Sequence, residues 1–440
     1  MIRRLLRRMF GIEEPGLRRI PRSEHGLARE AISPAARKVC EVLAAHGHAA
    51  HVVGGAVRDL LLGLAPKDFD VATDARPERV KALFRRAYIV GRRFRLVHVV
   101  IGGETVEVST FRAFDPETVE RDEHGRVLRD NVYGTQEEDA RRRDFTVNAL
   151  FYDPATETVL DWHEGLADLR KRRLRIIGDP ETRYREDPVR MLRAVRLAGK
   201  LGFTIDPQTR TPIRRFAALV ERVPPARLFD EMLKLLLSGH ASACLRQLRD
   251  EGLHRGLLPL LDVILDQPLG ERFVTLALAQ TDERVRSGRP VSPAFLFAAL
   301  LWHQVLAAWR AHERAGERPV PALAAAIGQV LQAQCEKLAI QRRYTTLMRE
   351  IWAMQPRFEQ RSGQRPFRLL AAPHFRMGYD FLALRAASGE VPAELEAWWR
   401  TFQAADDDTR RAMRVAEAAP APRRRRRRRR KAAVATAPTP

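Results

Sequence analysis

At 440 residues the chain is long enough for two or more domains. Its formal charge is +22, and the run of eight Arg and one Lys from Arg423 to Lys431 supplies less than half of it, so the excess calls for a polyanionic partner, nucleic acid first and an anionic membrane surface second. A hydrophobic content of 45% excludes a chain disordered throughout, three distant cysteines (Cys40, Cys244, Cys335) exclude a disulfide framework or a Cys-built zinc cluster, and the absence of eighteen consecutive apolar residues predicts no transmembrane segment.

The opening MIRRLLRRMF is basic and amphipathic, without the long apolar stretch and small-residue cleavage site of a secretory signal. It reads either as an arm that attracts RNA or as a peripheral contact for an anionic membrane. Residues 1–32 are expected to be a loosely ordered basic extension. Ser33-Pro34 then pairs an N-cap with Pro at the first helical position, predicting a helix to about His46. His51-Val52-Val53 reads as a strand leading into Gly54-Gly55. A helix follows over 56–62, and Asp68-Phe69-Asp70-Val71-Ala72 reads as the next strand. Residues 77–87 are expected to be helical. Residues 95–101 and 104–111 form a hairpin across Gly102-Gly103. The stretch 113–142 is charged and poorly patterned, as functional or mobile loops are. From about Pro180 apolar residues recur at helical spacing, with Leu192, Val195 and Gly199 on one line and Leu228, Met232 and Leu235 on another. After about Ala404 the composition cannot bury a core.

The chemistry concentrates between residues 54 and 107. Side chains two apart on a strand share a face, about 7 Å apart at Cα, so Asp68 and Asp70 present two carboxylates together. Their repulsion needs a counter-charge, and Mg²⁺ supplies one while keeping positions for substrate phosphates. Two such ions would activate an attacking oxygen and stabilise a leaving pyrophosphate. Glu107, polar between Val106 and Val108, is placed by the hairpin to be a third ligand, or else is an exposed residue of an amphipathic strand. Gly54-Gly55 at a strand-to-helix turn lets a phosphate approach the backbone, with Arg58 one turn further on.

This segment resembles the signature of the nucleotidyltransferase superfamily that includes DNA polymerase β, and more narrowly its class II branch, the bacterial poly(A) polymerases and the CCA-adding enzymes. Three further segments match in order. Arg142-Arg143-Asp144-Phe145-Thr146-Val147-Asn148 resembles the motif holding ribose and triphosphate. Glu186-Asp187-Pro188-Val189-Arg190 resembles the motif recognising the base, and Pro225-Ala226-Arg227-Leu228-Phe229-Asp230-Glu231 the neck motif. The resemblance implies an α+β fold: a polymerase-β-like head with a small mixed or antiparallel sheet over 33–180, then an all-α neck over 181–240, an RNA-binding helical body over 241–405 and a disordered Arg-rich tail over 406–440.

It also implies roles. Asp68, Asp70 and Glu107 would hold two Mg²⁺, Gly54, Gly55 and Arg58 would cradle the triphosphate of ATP, and Arg143, Asp144 and Asn148 would position ribose and phosphate. The alternative for Asp144 is an N-cap in a surface ion pair at a helix start. Asp187 and Arg190, three apart on a helix face, would read the base, although Asp187 before Pro188 also reads as an N-cap. Arg193 and Arg196 continue that ridge, as RNA contacts or as a solvated face. Val90-Gly91-Arg92-Arg93-Phe94-Arg95-Leu96-Val97-His98-Val99 resembles a segment that marks bacterial poly(A) polymerases and is absent from CCA-adding enzymes, its basic pair placed to guide RNA. Arginines interleaved with aromatics over 357–381 read either as a single-strand groove or as helix core. Arg423 to Arg430 would add sequence-independent RNA affinity.

The expected activity is template-independent addition of AMP from ATP to RNA 3′ ends in a bacterial cytoplasm. A CCA-adding enzyme is the near alternative, and a non-catalytic RNA-binding protein the remote one.

Overall fold

The computed structural model describes residues 16–91, 95–113, 120–121, 127–129, 132–253 and 268–415. The basic first dozen residues, Arg92, Arg93, Arg423 and Arg430 lie outside these, and so do the roles expected of them. The chain divides into two compact units, Met1–Thr346 and Leu347–Pro440.

The first unit is built on an eight-stranded sheet, larger than the sequence suggested. Its strands are β1 (Arg18–Ile20), β2 (Ala50–Val53), β3 (Asp70–Thr73), β4 (Ala87–Val90), β5 (Leu96–Ile101) and β6 (Glu104–Thr110). After a small separate ribbon of β7 (Glu120–Arg121) and β8 (Val127–Arg129) come β9 (Leu150–Asp153) and β10 (Thr158–Asp161). The order is β1-β10-β9-β2-β3-β6-β5-β4. Only β3 and β6 run parallel.

The β5–β6 hairpin turns as predicted, with positive φ at Gly102 and Gly103 (59° and 87°). Alternation then separates two faces. Val97, Val99, Val106 and Val108 are buried, while Leu96, His98, Glu107 and Ser109 lie on the open side. The Pro34–Ala45 helix, capped by Ser33 accepting from the Ala36 amide, buries Ala36, Val39, Cys40 and Leu43. The open face is closed at its other end by Phe111, Phe151, Leu160 and Trp162.

Asp68 precedes the strand, which begins at Asp70, so the two carboxylates are not residues of one regular strand. The helix from Pro77 stops at Leu83, and Ala87–Val90 is an edge strand. The N-terminal extension is ordered from β1, because Arg18–Ile20 pairs with β10. In the stretch 113–142 a helix forms over Gln136–Arg142, started by a capping box between Thr135 and Glu138.

Helices Pro180–Glu186, Val189–Leu201, Pro225–Leu236 and Ala241–Asp250 follow. Val189–Leu201 and Ala241–Asp250 approach so closely that a Cβ on Gly199 would meet the Cys244 Cα at 2.8 Å. The helix Pro293–Arg314 is long and apolar enough to cross a membrane by length and composition. Its Leu296, Phe297, Leu300, Leu301 and Trp302 are buried inside the protein, as in a core helix.

The second unit is helical. Phe358, Phe375, Tyr379, Trp399 and Phe402 form its core. In the interleaved Arg and aromatic stretch Phe358, Phe375, Tyr379 and Phe381 are buried and Phe367 partly so, while arginines such as Arg357, Arg368 and Arg376 reach solvent. Burying rings against each other removes far more apolar surface from water than an exposed stacking groove does.

Candidate active site

The turn after β2 is made by Gly54, at φ 73° and ψ −132°, a conformation L side chains rarely adopt. Space is short there too, since a Cβ would lie 3.3 Å from Arg143 Nη1 and 4.0 Å from Asp70 Oδ2. Gly55 opens the Gly55–Leu61 helix. Across the sheet, the parallel pairing sets Asp70 directly opposite Glu107. The hairpin therefore brings the third carboxylate beside the second. Burial first, then the charge of Glu107, pushes the Asp70 carboxyl up to about 6; Arg143 relieves this in part and Asp68 adds to it. Asp68 is exposed, and Glu107 is half-exposed with His98 Nε2 3.4 Å from its Oε1. Among the described residues, no three His, Cys, Asp or Glu side chains converge as a closed metal cluster. What the site offers instead is a repelling carboxylate set with one raised pKa, and that chemistry fits a divalent cation.

A continuous polar chain runs along the wall beside these carboxylates. Lys200 Nζ lies 3.6 Å from Asp59 Oδ2, and Arg58 Nε donates to Asp59 Oδ1 at 2.8 Å. Arg58, only 5% exposed, also donates to Asn148 Oδ1, and Asn148 Nδ2 donates to Asp144 Oδ1 at 3.0 Å. Asp144 Oδ1 accepts the Phe145 amide as well, and Oδ2 accepts from Arg193 Nε at 2.7 Å. Burial alone would raise the Asp144 carboxyl. The Arg193 guanidinium, with the Asn148 and Phe145 bonds, holds it well below the usual carboxylate range. Both Asp144 oxygens are thus engaged in folding the motif, and Asp144 is not the N-cap of the short turn that follows, whose cap position is Phe145. Arg143 donates to Asp139 Oδ2 at 3.0 Å and lies 4.8 Å above the Phe151 ring.

At the far end, Asp187 closes the Pro180–Glu186 helix instead of capping the next one. Pro188 is already helical, and the Arg190 amide takes the Asp187 carbonyl. The Asp187 side chain makes no cap bond, so the competition between capping and base contact does not arise. Its Oδ2 accepts from Arg227 Nη2 at 3.0 Å, and its Oδ1 is buried without a partner. Arg190 donates to the Arg183 carbonyl at 2.8 Å and to Glu186 Oε2 at 3.1 Å. Arg193 and Arg196 form no solvated ridge: Arg193 is bonded to Asp144 and Arg196 to the buried Glu231.

These elements enclose a cavity of about 490 Å³, bounded by Gly54, Gly55, Arg58 and Asp70 at one end and by Asp187, Arg190, Arg227 and Lys234 at the other. That volume suits one nucleotide. Arg142 also lines it. Burial, then the like charges of Arg112, Arg183 and Arg190, push the Arg142 guanidinium down to about 9, so an anion there would be welcome. Sequence reasoning assigned no role to Arg142, Arg183 or Arg227. Arg142 and Arg227 stood inside the quoted motifs, but Arg183 had no signal beyond its place in a helix.

Three family profiles match the chain: "Poly A polymerase head domain" over residues 50–175, "Probable RNA and SrmB- binding site of polymerase A" over 202–265 and "Polymerase A arginine-rich C-terminus" over 315–432. Poly(A) polymerase I of Salmonella typhi is 45% identical over 414 residues, covering 91% of this chain and 89% of that protein. The CCA-adding enzyme of Geobacillus stearothermophilus is 41% identical over 217 residues, 49% of this chain. The crystal structure of the Bacillus stearothermophilus CCA-adding enzyme in complex with CTP superposes with a TM-score of 0.56 and 28% identity, over 84% of this chain and 82% of that one.

Proposed function

From the premise that this chain belongs to the poly(A) polymerase family, we infer the working parts of a polynucleotide adenylyltransferase, an enzyme that adds AMP from ATP to RNA 3′ ends without a template. The observation that carries the mechanism is the register of Asp70 against Glu107, beside a glycine turn and an arginine-walled cavity of nucleotide size.

In this reading Gly54 and Gly55 admit the triphosphate to the backbone. Arg143 and Arg142 offset its charge, and the chain from Lys200 to Arg193 keeps the wall rigid while it binds. Asp187 offers its unpartnered Oδ1 to the base, oriented by Arg227. Asp68, Asp70 and Glu107 would hold Mg²⁺, which when bound neutralises the carboxylates and stabilises charge on the phosphates. The RNA 3′-oxygen bonds to the α-phosphorus, the bond from that phosphorus to the bridging oxygen of the β-phosphate breaks, pyrophosphate leaves, and the hydroxyl proton passes to water. The setting is the cytoplasm, where RNA ends and ATP meet.

The test offers ATP and CTP separately to the purified protein with a single-stranded RNA and with tRNA lacking its terminus. Long A tails are expected. CTP addition that stops after a fixed count would reject the reading in favour of the CCA-adding alternative.

A further inference from the structure

A second cavity, of about 280 Å³, opens on the other side of Asp70. Leu96, Glu107, Ser109 and Arg112 line it, while Asp70, Arg142 and Arg143 border both cavities. Nucleotidyl transfer requires two reactants at one carboxylate, and the larger cavity accounts for only one of them. We propose that the smaller cavity and the open sheet face beyond it receive the 3′-terminal nucleotides of a single-stranded RNA acceptor, with a phosphodiester against Arg112 and Arg142 and an unstacked base against Tyr88. The proposal rests on reading the larger cavity as the nucleotide site.

The register carries it. Asp70 pairs with Glu107, Glu107 with His98, and His98 with Tyr88, so four side chains from four adjacent strands stand in one row on one face. Three interstrand spacings put Tyr88 about 14 Å from the reacting centre, a reach of a few nucleotides. This end of the face is open: Tyr88 is 56% exposed, one of few large apolar side chains left in water among the described residues. An aromatic ring on an open sheet is the standard platform for an unpaired base, and it stacks without reading sequence.

Charge agrees with the placement. Arg112 and Arg142 both line this cavity, and burial lowers both guanidinium pKa values; Asp139 offsets this in part at Arg112, while Arg142 faces the like charges of Arg112, Arg183 and Arg190, so a phosphate beside them is favoured. A track that stacks but offers few base-edge contacts also suits this reaction, because each added residue becomes the next acceptor. The row gives a use to the segment 90–99, whose His98 stands between Glu107 and Tyr88 and has no place in the nucleotide cavity.

The experiment uses the full chain, ATP and a 5′-labelled single-stranded RNA. Tyr88→Ala and His98→Ala should each raise the KM for RNA, the first by about fivefold or more, with the KM for ATP held within about twofold. Tyr88→Trp should restore the RNA KM, which a merely structural defect would not. An RNA ending in 4-thiouridine should crosslink to the 87–101 peptides. Unchanged RNA KM in both alanine variants, or crosslinks confined to residues 180–236, would overturn the proposal. Crosslinking at 87–101 by a wild-type protein that incorporates no AMP would support the acceptor track and refute the nucleotide reading instead.

Discussion

The two walls that meet at Asp70 are built on opposite principles. Along the cavity wall, Asp59, Arg58, Asn148, Asp144 and Arg193 satisfy one another, and Asp144 is held ionised. On the sheet, Asp70 faces Glu107, and burial and that like charge make its ionised form costly. The first wall is complete in itself and presents a fixed shape. The second is left unbalanced, and only an added cation completes it. The difference separates residues that shape the pocket from residues that do chemistry, although both sets are acidic and arginine-rich.

Four outcomes would break or sharpen that contrast. The largest is Asp70→Ala, which should lower adenylyl transfer by about a thousandfold or more while leaving RNA binding and the melting temperature near wild type; near-normal tailing would remove Asp70 from the chemistry. Asp144→Ala should do the reverse. It strands the half-buried Arg193 charge and removes the acceptor of Asn148, so calorimetry or denaturant titration should show a loss of about 2–3 kcal/mol of stability.

The third outcome concerns pH. Asp70 has a folded pKa above its unfolded one, so between about pH 4 and pH 6 the folded protein holds a proton that the unfolded chain has lost, and stability falls as pH rises through that window. Metal-free Asp70→Asn should therefore gain on metal-free wild type across it, by about 3 kcal/mol at pH 7. Asp144 has the opposite sign, contributing stability above the ordinary aspartate pKa that is lost as pH falls below it; Asp144→Asn should lose ground to wild type at neutral pH. Parallel profiles for the two variants would erase the distinction. The smallest effect is Arg227→Ala, which frees Asp187 and should raise the KM for ATP about tenfold with little change in kcat.

The catalytic half was legible where a local rule sufficed. Gly102-Gly103 dictates the hairpin, alternation sends Glu107 to the opposite face from Val106 and Val108, and Ser33-Pro34 starts a helix. It was illegible where a partner lies far along the chain. Nothing near Arg193 announces Asp144, and nothing near Arg18–Ile20 announces β10. Edge strand β4 was missed: the helix expected over 77–87 runs four residues past its end at Leu83 and meets the strand only at Ala87. The aromatics of the second unit resembled a binding groove because composition does not say which way a ring points.

The single parallel pair in the sheet has a consequence for folding kinetics. Asp70 and Glu107 can become neighbours only after the chain has travelled through β4 and β5 and returned, a non-local closure that carries a loop-entropy cost and, in metal-free protein, ends in charge repulsion. The neck helices form from local contacts and have no such delay. Catalytic competence therefore waits on closure of the sheet, and regained adenylyl transfer reports that closure where helical content does not.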